Sequence, residues 1–120
     1  MNNNKASASI QFLKGKIEKE IPKIKLTRFK DGRTGLASFL FEQAEVLKIK
    51  DVSNINRMIM KDEEGELLAQ EVRIGISNGN KKTIEANYKW KSNEEFKRFM
   101  RFAENYAKEN GLSYLENQTK

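Results

Sequence analysis

Four acidic residues crowd one short stretch of the chain and are the first candidates for chemistry. Asp62, Glu63, Glu64 and Glu66 surround Gly65. Carboxylate oxygens can hold Ca²⁺ or Mg²⁺, yet this run lacks the alternating ligands of a calcium loop. A glycine inside a charged run is typical of a hairpin tip. We therefore expect no metal here. We interpret the run as an acidic turn that forms part of a binding surface.

Other chemistry is restricted by the residue types that the sequence lacks. It contains no Cys and no His, which excludes thiolate nucleophiles, imidazole bases, disulfides and zinc sites built from those side chains. A pair of acid and base carboxylates needs a cleft, and no pattern indicates one. The seven glycines stand singly, so no glycine-rich phosphate loop is present. We expect a protein that is not an enzyme and that carries no cofactor and no metal.

Basic residues concentrate near the N-terminus. Residues 1–30 hold eight Lys or Arg against two Glu, whereas the rest of the chain sums to zero. Such a patch suits an anionic partner, which could be an acidic protein loop, a lipid headgroup surface or a nucleic-acid backbone. A lysine-rich and asparagine-rich composition inherited from an AT-rich genome explains the excess equally well. A basic nucleic-acid-binding α+β domain therefore stays open as an alternative.

The elements that must position these residues are clearest at the C-terminal end. Ser92 and Glu95 form a capping box, and Asn110-Gly111 supplies the residue types that end a helix. Apolar residues between these signals recur at helical spacing and predict one buried face; they are Phe96, Phe99, Met100, Ala103, Tyr106 and Ala107. The pattern predicts a helix from 92 to 111 that packs on a sheet.

The opposite side of this helix is expected to be exposed. Phe102 lies just outside the apolar arc, so we expect it to be partly exposed. Arg98 and Arg101 point away from the core and could contact a partner. The structural alternative is that Arg98 pairs with Glu94 one turn earlier on the helix.

Upstream of the helix, period-two alternation predicts strands separated by turns. The expected strands cover residues 10–13, 23–28, 37–41, 56–61, 72–76 and 84–90, and the expected turns lie at 31–35, 62–66 and 78–79. A polar loop is expected over 16–20, and a short helix or irregular turn over 43–54.

These elements predict one α+β domain. We expect an antiparallel sheet of about four to five strands with a long C-terminal helix packed on one face. The domain should cover residues 9–115, between disordered tails at residues 1–8 and 116–120.

With the elements in place, the chain resembles the Psb28 family of photosystem II assembly factors, also called photosystem II reaction-centre protein W. The resemblance runs from Ser9 to Leu112. The matching stretches are Ile10-Gln11-Phe12, Lys14-Gly15, Pro22, Leu26-Thr27-Arg28, Asp31-Gly32, Thr34-Gly35, Asp62-Glu63-Glu64-Gly65-Glu66, Glu71-Val72, Asn78-Gly79, Ile84-Glu85-Ala86, Tyr88, Arg98-Phe99-Met100-Arg101-Phe102, Tyr106-Ala107 and Asn110-Gly111-Leu112.

The resemblance implies a non-catalytic, cofactor-free photosystem II assembly factor that acts on core intermediates. It would bind peripherally at the thylakoid membrane, on the stromal side in a plastid such as a chloroplast, or on the cytoplasmic side in a cyanobacterium. Its partners would be photosystem II core subunits and the larger core-antenna chlorophyll protein, whose C-terminal tail would add a strand to the sheet edge. It would touch the membrane surface peripherally, and nucleic acid is not an expected partner.

Twelve residues are our candidates for protein binding. They are Thr27, Arg28, Asp31, Gly32, Thr34 and Gly35 on the first hairpin, Asp62, Glu63, Glu64 and Gly65 on the acidic turn, and Arg98 and Arg101 on the helix. The hairpin glycines could instead serve only the geometry of the turn.

The chain departs from the family pattern at several positions. These are Arg57, Ile59, Lys61, Lys81 and Phe96-Lys97, and the chain is basic where relatives tend to be acidic. The departures leave the expected fold intact and raise the possibility of a divergent paralogue with a shifted partner.

Overall fold

The computed structural model describes residues 8–48 and 55–111. Residues 1–7 of the tail predicted at 1–8, the tail predicted at 116–120 and residues 49–54 of the predicted irregular turn lie outside this range. Ala8 is buried in the core, so the prediction that it belongs to a disordered tail is wrong. The strands are β1 (Ser9–Leu13), β2 (Lys16–Ile17), β3 (Lys23–Arg28), β4 (Gly35–Phe41), β5 (Met58–Asp62), β6 (Gly65–Ala69), β7 (Glu71–Ser77) and β8 (Lys81–Trp90); the helix is α1 (Asn93–Glu109), and 3-10 turns cover Glu45–Lys48 and Asn78–Asn80.

The strands form two antiparallel four-stranded sheets, which confirms the predicted α+β class. The first sheet has the order β2-β1-β5-β6, and the second has the order β3-β4-β8-β7. The strand expected at residues 72–76 belongs to a longer extended segment, residues 65–77, which is divided at Gln70. Its first part, β6, pairs with β5, and its second part, β7, pairs with β8. The chain therefore passes from one sheet to the other at one residue.

The helix begins and ends where the sequence predicts. The Ser92 hydroxyl accepts a hydrogen bond from the Glu95 amide at 3.1 Å, and the Glu95 carboxylate accepts one from the Lys91 amide at 2.7 Å. The first bond satisfies an amide that a free helix end leaves unpaired, and the second fixes the residue before the N-cap to the first turn. The helix contacts both β5 and β8, so its buried side faces strands from both sheets.

Phe102 corrects one expectation about the helix. Its ring is buried, not partly exposed, and lies between Phe99 and Tyr106 at centroid distances of 6.4 and 5.7 Å. Because α1 contacts strands of two sheets, the buried sector is wider than the arc that one sheet would cover. Phe96 and Met100, on the other flank of the apolar stripe, are only partly buried.

The core joins the second sheet to the helix through aromatic rings. Phe99 lies 5.4 Å from Tyr88 and 6.2 Å from Phe39, centroid to centroid, and both strand residues are buried. Phe12 and Phe41 meet edge to face at 5.0 Å, which ties the first sheet to the second. Offset and edge-to-face contacts of this kind are the favoured geometries of aromatic pairs.

The predicted polar loop at 16–20 contains a short strand and a buried acid. Lys16 and Ile17 form β2, and the Glu18 carboxylate accepts hydrogen bonds from the Glu45 amide at 2.7 Å and the Val46 amide at 3.0 Å. Glu18 thereby caps the 3-10 turn that begins at Glu45. That turn confirms the first part of the irregular stretch expected over 43–54.

Candidate functional site

The predicted contact residues lie in two clusters that both touch the N-terminal half of α1. The hairpin residues reach it through Arg28, whose guanidinium lies over the Phe96 ring. The acidic turn reaches it through Asp62, which binds Arg98. Residues far apart in sequence are thus joined by one helix.

A bidentate ion pair holds the acidic turn to the helix. Arg98 donates to the two carboxylate oxygens of Asp62 at 2.9 and 2.7 Å, and to the Gly65 carbonyl at 3.3 Å. The Asp62 side chain is 2% exposed and that of Arg98 is 17% exposed. Asp62 also accepts a hydrogen bond from the Glu64 amide at 2.9 Å, which shapes the turn. The sequence expectation that Arg98 points away from the core is therefore wrong, because Asp62 draws it inward.

Beside this pair lies a second, more exposed one. Arg101 donates to the two Glu64 oxygens at 2.6 and 2.9 Å, and Arg98 Nε lies 3.6 Å from Glu64. The hydrogen bonds from Arg101 lower the pKa of Glu64, and those same bonds to Glu64 raise the pKa of Arg101. The carboxylates of Asp62 and Glu64 are thus balanced by two arginines, and Glu66 lies 3.5 Å from Lys14. Among residues 8–48 and 55–111, the exposed Glu63 has no ion-pair partner.

The arginines also occupy the carboxylates that a metal would need. Within residues 8–48 and 55–111, no group of three or more possible ligands is placed to hold a metal ion. What the turn can offer a partner is Glu63 and the exposed Arg101–Glu64 pair.

The other cluster is the hairpin tip, residues 29–34, which is held by one carboxylate. Asp31 accepts hydrogen bonds at 2.8 Å from the amides of Arg33 and Thr34 and from the Thr34 hydroxyl. The amide bonds from Thr34 and then Arg33 are the main causes that lower the pKa of Asp31. Gly32 takes a φ of +74°, which favours glycine. The tip is therefore a preformed loop rather than a loose connection.

The base of the hairpin packs against the core. The Arg28 guanidinium lies 4.3 Å from the centre of the Phe96 ring, a cation–π contact. Gly35 is buried against Trp90, and a Cβ at Gly35 would collide with the Trp90 ring and lie 2.6 Å from the Thr27 carbonyl oxygen. Gly35 therefore has a packing role, and only the half-buried Thr27 and Arg28 remain within reach of a partner.

The second sheet presents two long edges in the described part of the chain, β3 and β7. On β3, Lys23 and Lys25 are exposed. On β7, Val72 and Ile74 are half-buried and Ile76 is 71% exposed. Lysine on an edge protects it from unspecific strand pairing, whereas an apolar edge invites it.

A shallow depression of about 300 Å³ adjoins β7. Its floor carries ion pairs between Lys89 and Glu71 at 2.9 Å and between Arg73 and Glu85 at 3.6 Å. The hydrogen bond from Lys89 is the largest cause that lowers the pKa of Glu71. The lining residues are Gln70, Glu71, Val72, Arg73, Glu85 and Asn87. Its polar groups are engaged with one another, so the depression is not itself a ligand cage.

Five exposed apolar residues were missing from the predicted set of contact residues; they are Ile17, Ile24, Phe29, Leu68 and Ile76. Ile76 lies at the end of β7, and Phe29, 43% exposed, follows β3 directly. The exposure of Phe29 could have been predicted from the sequence, because this residue lies between Arg28 and Lys30 and beside a turn, where an exposed side chain is expected. By contrast, Tyr88 and Trp90 are buried, so these strand aromatics offer no stacking surface for bases.

Within residues 8–48 and 55–111, no helix is both long enough and apolar enough to cross a membrane.

Comparison with known proteins gives one consistent family. A family model described as "Psb28 protein" matches residues 10–114. The chain is 51% identical over 114 residues to a "Photosystem II reaction center Psb28 protein" of Synechococcus sp. (strain CC9902), covering 95% of this chain and 87% of the relative. It is 46% identical over 114 residues to a protein of the same name from Prochlorococcus marinus (strain MIT 9211), covering 95% of this chain and 97% of the relative.

Proposed function

The chain belongs to the Psb28 family, and from that premise we propose that it is a non-catalytic assembly factor of photosystem II. The names of its relatives attach the family to the photosystem II reaction centre, and a role related to photosystem II follows. We assign the protein to core intermediates at the thylakoid membrane, bound peripherally on the stromal side in a plastid or the cytoplasmic side in a cyanobacterium.

The observation that carries the proposal is the open edge of β7. This strand has seven residues and pairs only with β8 within the described part of the chain. It carries neither Lys nor Pro, the residue types that commonly protect edges. A peptide that adds a strand gains main-chain hydrogen bonds along β7, while the half-buried Val72 and Ile74 and the exposed Ile76 offer contacts to alternate side chains.

The proposed occupant is the C-terminal tail of the larger core-antenna chlorophyll protein, with the other core subunits contacting the two clusters beside α1. In the acidic turn, Glu63 and the Arg101–Glu64 pair are the groups available to them. In the hairpin, Arg28 and Thr27 are half-exposed. Two contacts hold these surfaces in place. They are the Asp62–Arg98 ion pair and the packing of Gly35 against Trp90.

Native gel electrophoresis of solubilised thylakoid membranes tests the role. We expect the protein to travel with a photosystem II subcomplex that lacks some mature subunits. Recovery only in the free soluble fraction, even while photosystem II is being assembled, would contradict the proposal.

Hydrogen exchange of the bound protein tests the edge. Amides of β7 should become protected in the complex, and Ile76→Lys should reduce co-migration because it places a charge on the accepting edge. Ile17→Lys is the matched control, since Ile17 is also exposed but lies on β2 in the other sheet. Protection of β3 with no change at β7 would move the added strand to the opposite edge.

A further inference from the structure

The hairpin tip, residues 29–34, combines an exposed aromatic ring with two cations that form no salt bridge within the described part of the chain. The β3–β4 ladder ends at the pair Arg28 and Gly35, and the tip projects beyond it. Phe29 closes the tip through its backbone, donating its amide to the Thr34 carbonyl at 3.0 Å and accepting the Gly32 amide at 3.1 Å. Its side chain is 43% exposed. The ring therefore stands at the surface although the backbone that carries it is fixed.

The charges of the tip are not balanced within it. Lys30 and Arg33 are exposed, and in the described part of the chain neither lies within ion-pair distance of a carboxylate. The one acidic residue of the tip, Asp31, accepts three hydrogen bonds from inside the loop through its carboxylate oxygens. Arg28, at the base, adds a third cation over the Phe96 ring.

We propose that this tip inserts Phe29 at the surface of a lipid bilayer that contains anionic headgroups, with Lys30 and Arg33 on the phosphates. An aromatic ring favours the boundary between headgroups and acyl chains. Each nearby Lys or Arg adds attraction to an anionic surface. The preformed loop reduces the ordering that insertion would otherwise require. The inference rests on the proposed function, because a peripheral membrane factor needs a surface that meets the lipid.

A second cationic pair lies far from the tip. Lys81 and Lys82 begin β8, where Lys82 pairs with the exposed Ile76, whereas Trp90 at the other end of β8 pairs with Gly35 beside the tip. At about 3.3 Å per residue, a strand of ten residues separates the two pairs by roughly 30 Å. The second pair can therefore serve as a matched control for charge, and Ile17 on β2 as a matched control for an exposed apolar side chain.

Sedimentation with lipid vesicles tests the proposal on the full chain. The probes are vesicles of two parts phosphatidylcholine to one part phosphatidylglycerol, compared with vesicles of phosphatidylcholine alone. We expect the wild-type protein to partition into the anionic vesicles only. Each of Lys30→Gln and Arg33→Gln should weaken the partition about fivefold at low salt, and Phe29→Ser should weaken it about tenfold. Ile17→Ser and the double variant Lys81→Gln/Lys82→Gln should partition nearly as the wild type does.

A second readout reports the depth of the ring. The only native tryptophan, Trp90, is buried, so the emission of a Phe29→Trp variant can be separated from a constant background. We expect this emission to shift to the blue with anionic vesicles and to stay unshifted with neutral ones. Equal losses in the tip variants and the control variants, or no shift in the Phe29→Trp emission, would overturn the proposal.

The test keeps this inference separate from the proposed function. If the Phe29→Ser variant no longer binds vesicles but still co-migrates in part with the photosystem II subcomplex, the lipid inference and the assembly role are both supported. If the wild type ignores anionic vesicles yet co-migrates with the subcomplex, the lipid inference fails and the assembly role does not. If single-stranded RNA displaces the protein from the vesicles and binds it more tightly, the tip is a nucleic-acid contact and the lipid inference fails.

Discussion

The Asp62–Arg98 pair allows a prediction that separates a structural arginine from an exposed one on the same helix. We expect Arg98→Met to destabilise the domain far more than Arg101→Met. Methionine keeps most of the apolar stem of the side chain, so the change removes mainly the charge and the hydrogen bonds. Both positions lie on α1, and both arginines bind carboxylates of the same turn.

The size of the effect follows from the burial of the partner. In the wild-type domain the Asp62 side chain is 2% exposed, and of the hydrogen bonds described above only the one from the Glu64 amide at 2.9 Å does not involve Arg98. Removing one partner of a buried ion pair typically costs about 3–5 kcal/mol, and because Arg98 is itself partly exposed we expect about 3 kcal/mol here. That is a large share of the stability of a domain of this size. Arg101→Met leaves Glu64 in water, so its effect should be a small fraction of this loss.

The assay is urea unfolding of both variants, followed by circular dichroism. The midpoint should fall strongly for Arg98→Met without a change in slope, and little for Arg101→Met. Asp62→Asn/Arg98→Met should be more stable than Arg98→Met alone, because an amide at position 62 leaves no uncompensated buried charge.

Two results would refute this reasoning. One is an equal and small loss in Arg98→Met and Arg101→Met, which would mean that water reaches Asp62 freely. The other is a double variant less stable than Arg98→Met by the full cost of the second change, which would mean that the two side chains act independently.

Three further predictions concern positions that the structure explains by packing or hydrogen bonding. Gly35→Ala should destabilise the domain by about 1–3 kcal/mol because its Cβ meets the Trp90 ring, whereas Gly75→Ala, whose nearest contact is an ordinary 3.4 Å, should be nearly neutral in the same urea experiment. Phe102→Ala should cost about 3–5 kcal/mol of unfolding free energy, and a loss below 1 kcal/mol would contradict its burial. The pKa of Asp31 is lowered on folding. Its carboxylate therefore stabilises the fold at pH values above its pKa in the unfolded chain, and this stabilisation is lost as the pH falls through its pKa in the folded domain. An NMR titration should show the carboxyl of Asp31 titrating below the ordinary value of 3.8.

Much of the fold could be predicted because the signals are local. The alternation in β8 and the capping box at Ser92 depend only on neighbouring residues, and the structure confirms both. The division at Gln70 could not be predicted in the same way. A period of two predicts an extended strand at residues 72–76, but it carries no information on which strand this segment pairs with, and it does not reach residues 65–69, which form β6. The burial of Phe102 was likewise not predictable, because it depends on contacts of α1 with strands of both sheets.

The candidate site shows the same limit. The acidic turn and the helix arginines were each selected from the sequence as surface groups for a partner. The structure brings Asp62 and Arg98 together across 36 residues, and no local pattern indicates such a pair. Whether the remaining exposed groups bind photosystem II stays a prediction, while the two ion pairs explain why those residue types occur together.

The order of strand pairing also decides when the chain can fold during its synthesis. β1 pairs with β5, β4 pairs with β8, and the helix that covers both sheets follows β8. A nascent chain can therefore pair the strands of the first sheet once β6 has left the ribosome, but it can complete the second sheet only after the segment that forms β8 has emerged. Contacts between residues so distant in sequence slow folding and leave apolar strands exposed meanwhile. The domain should reach its native state only late in translation or after it, with the hairpin that carries Phe29 among the first parts to form.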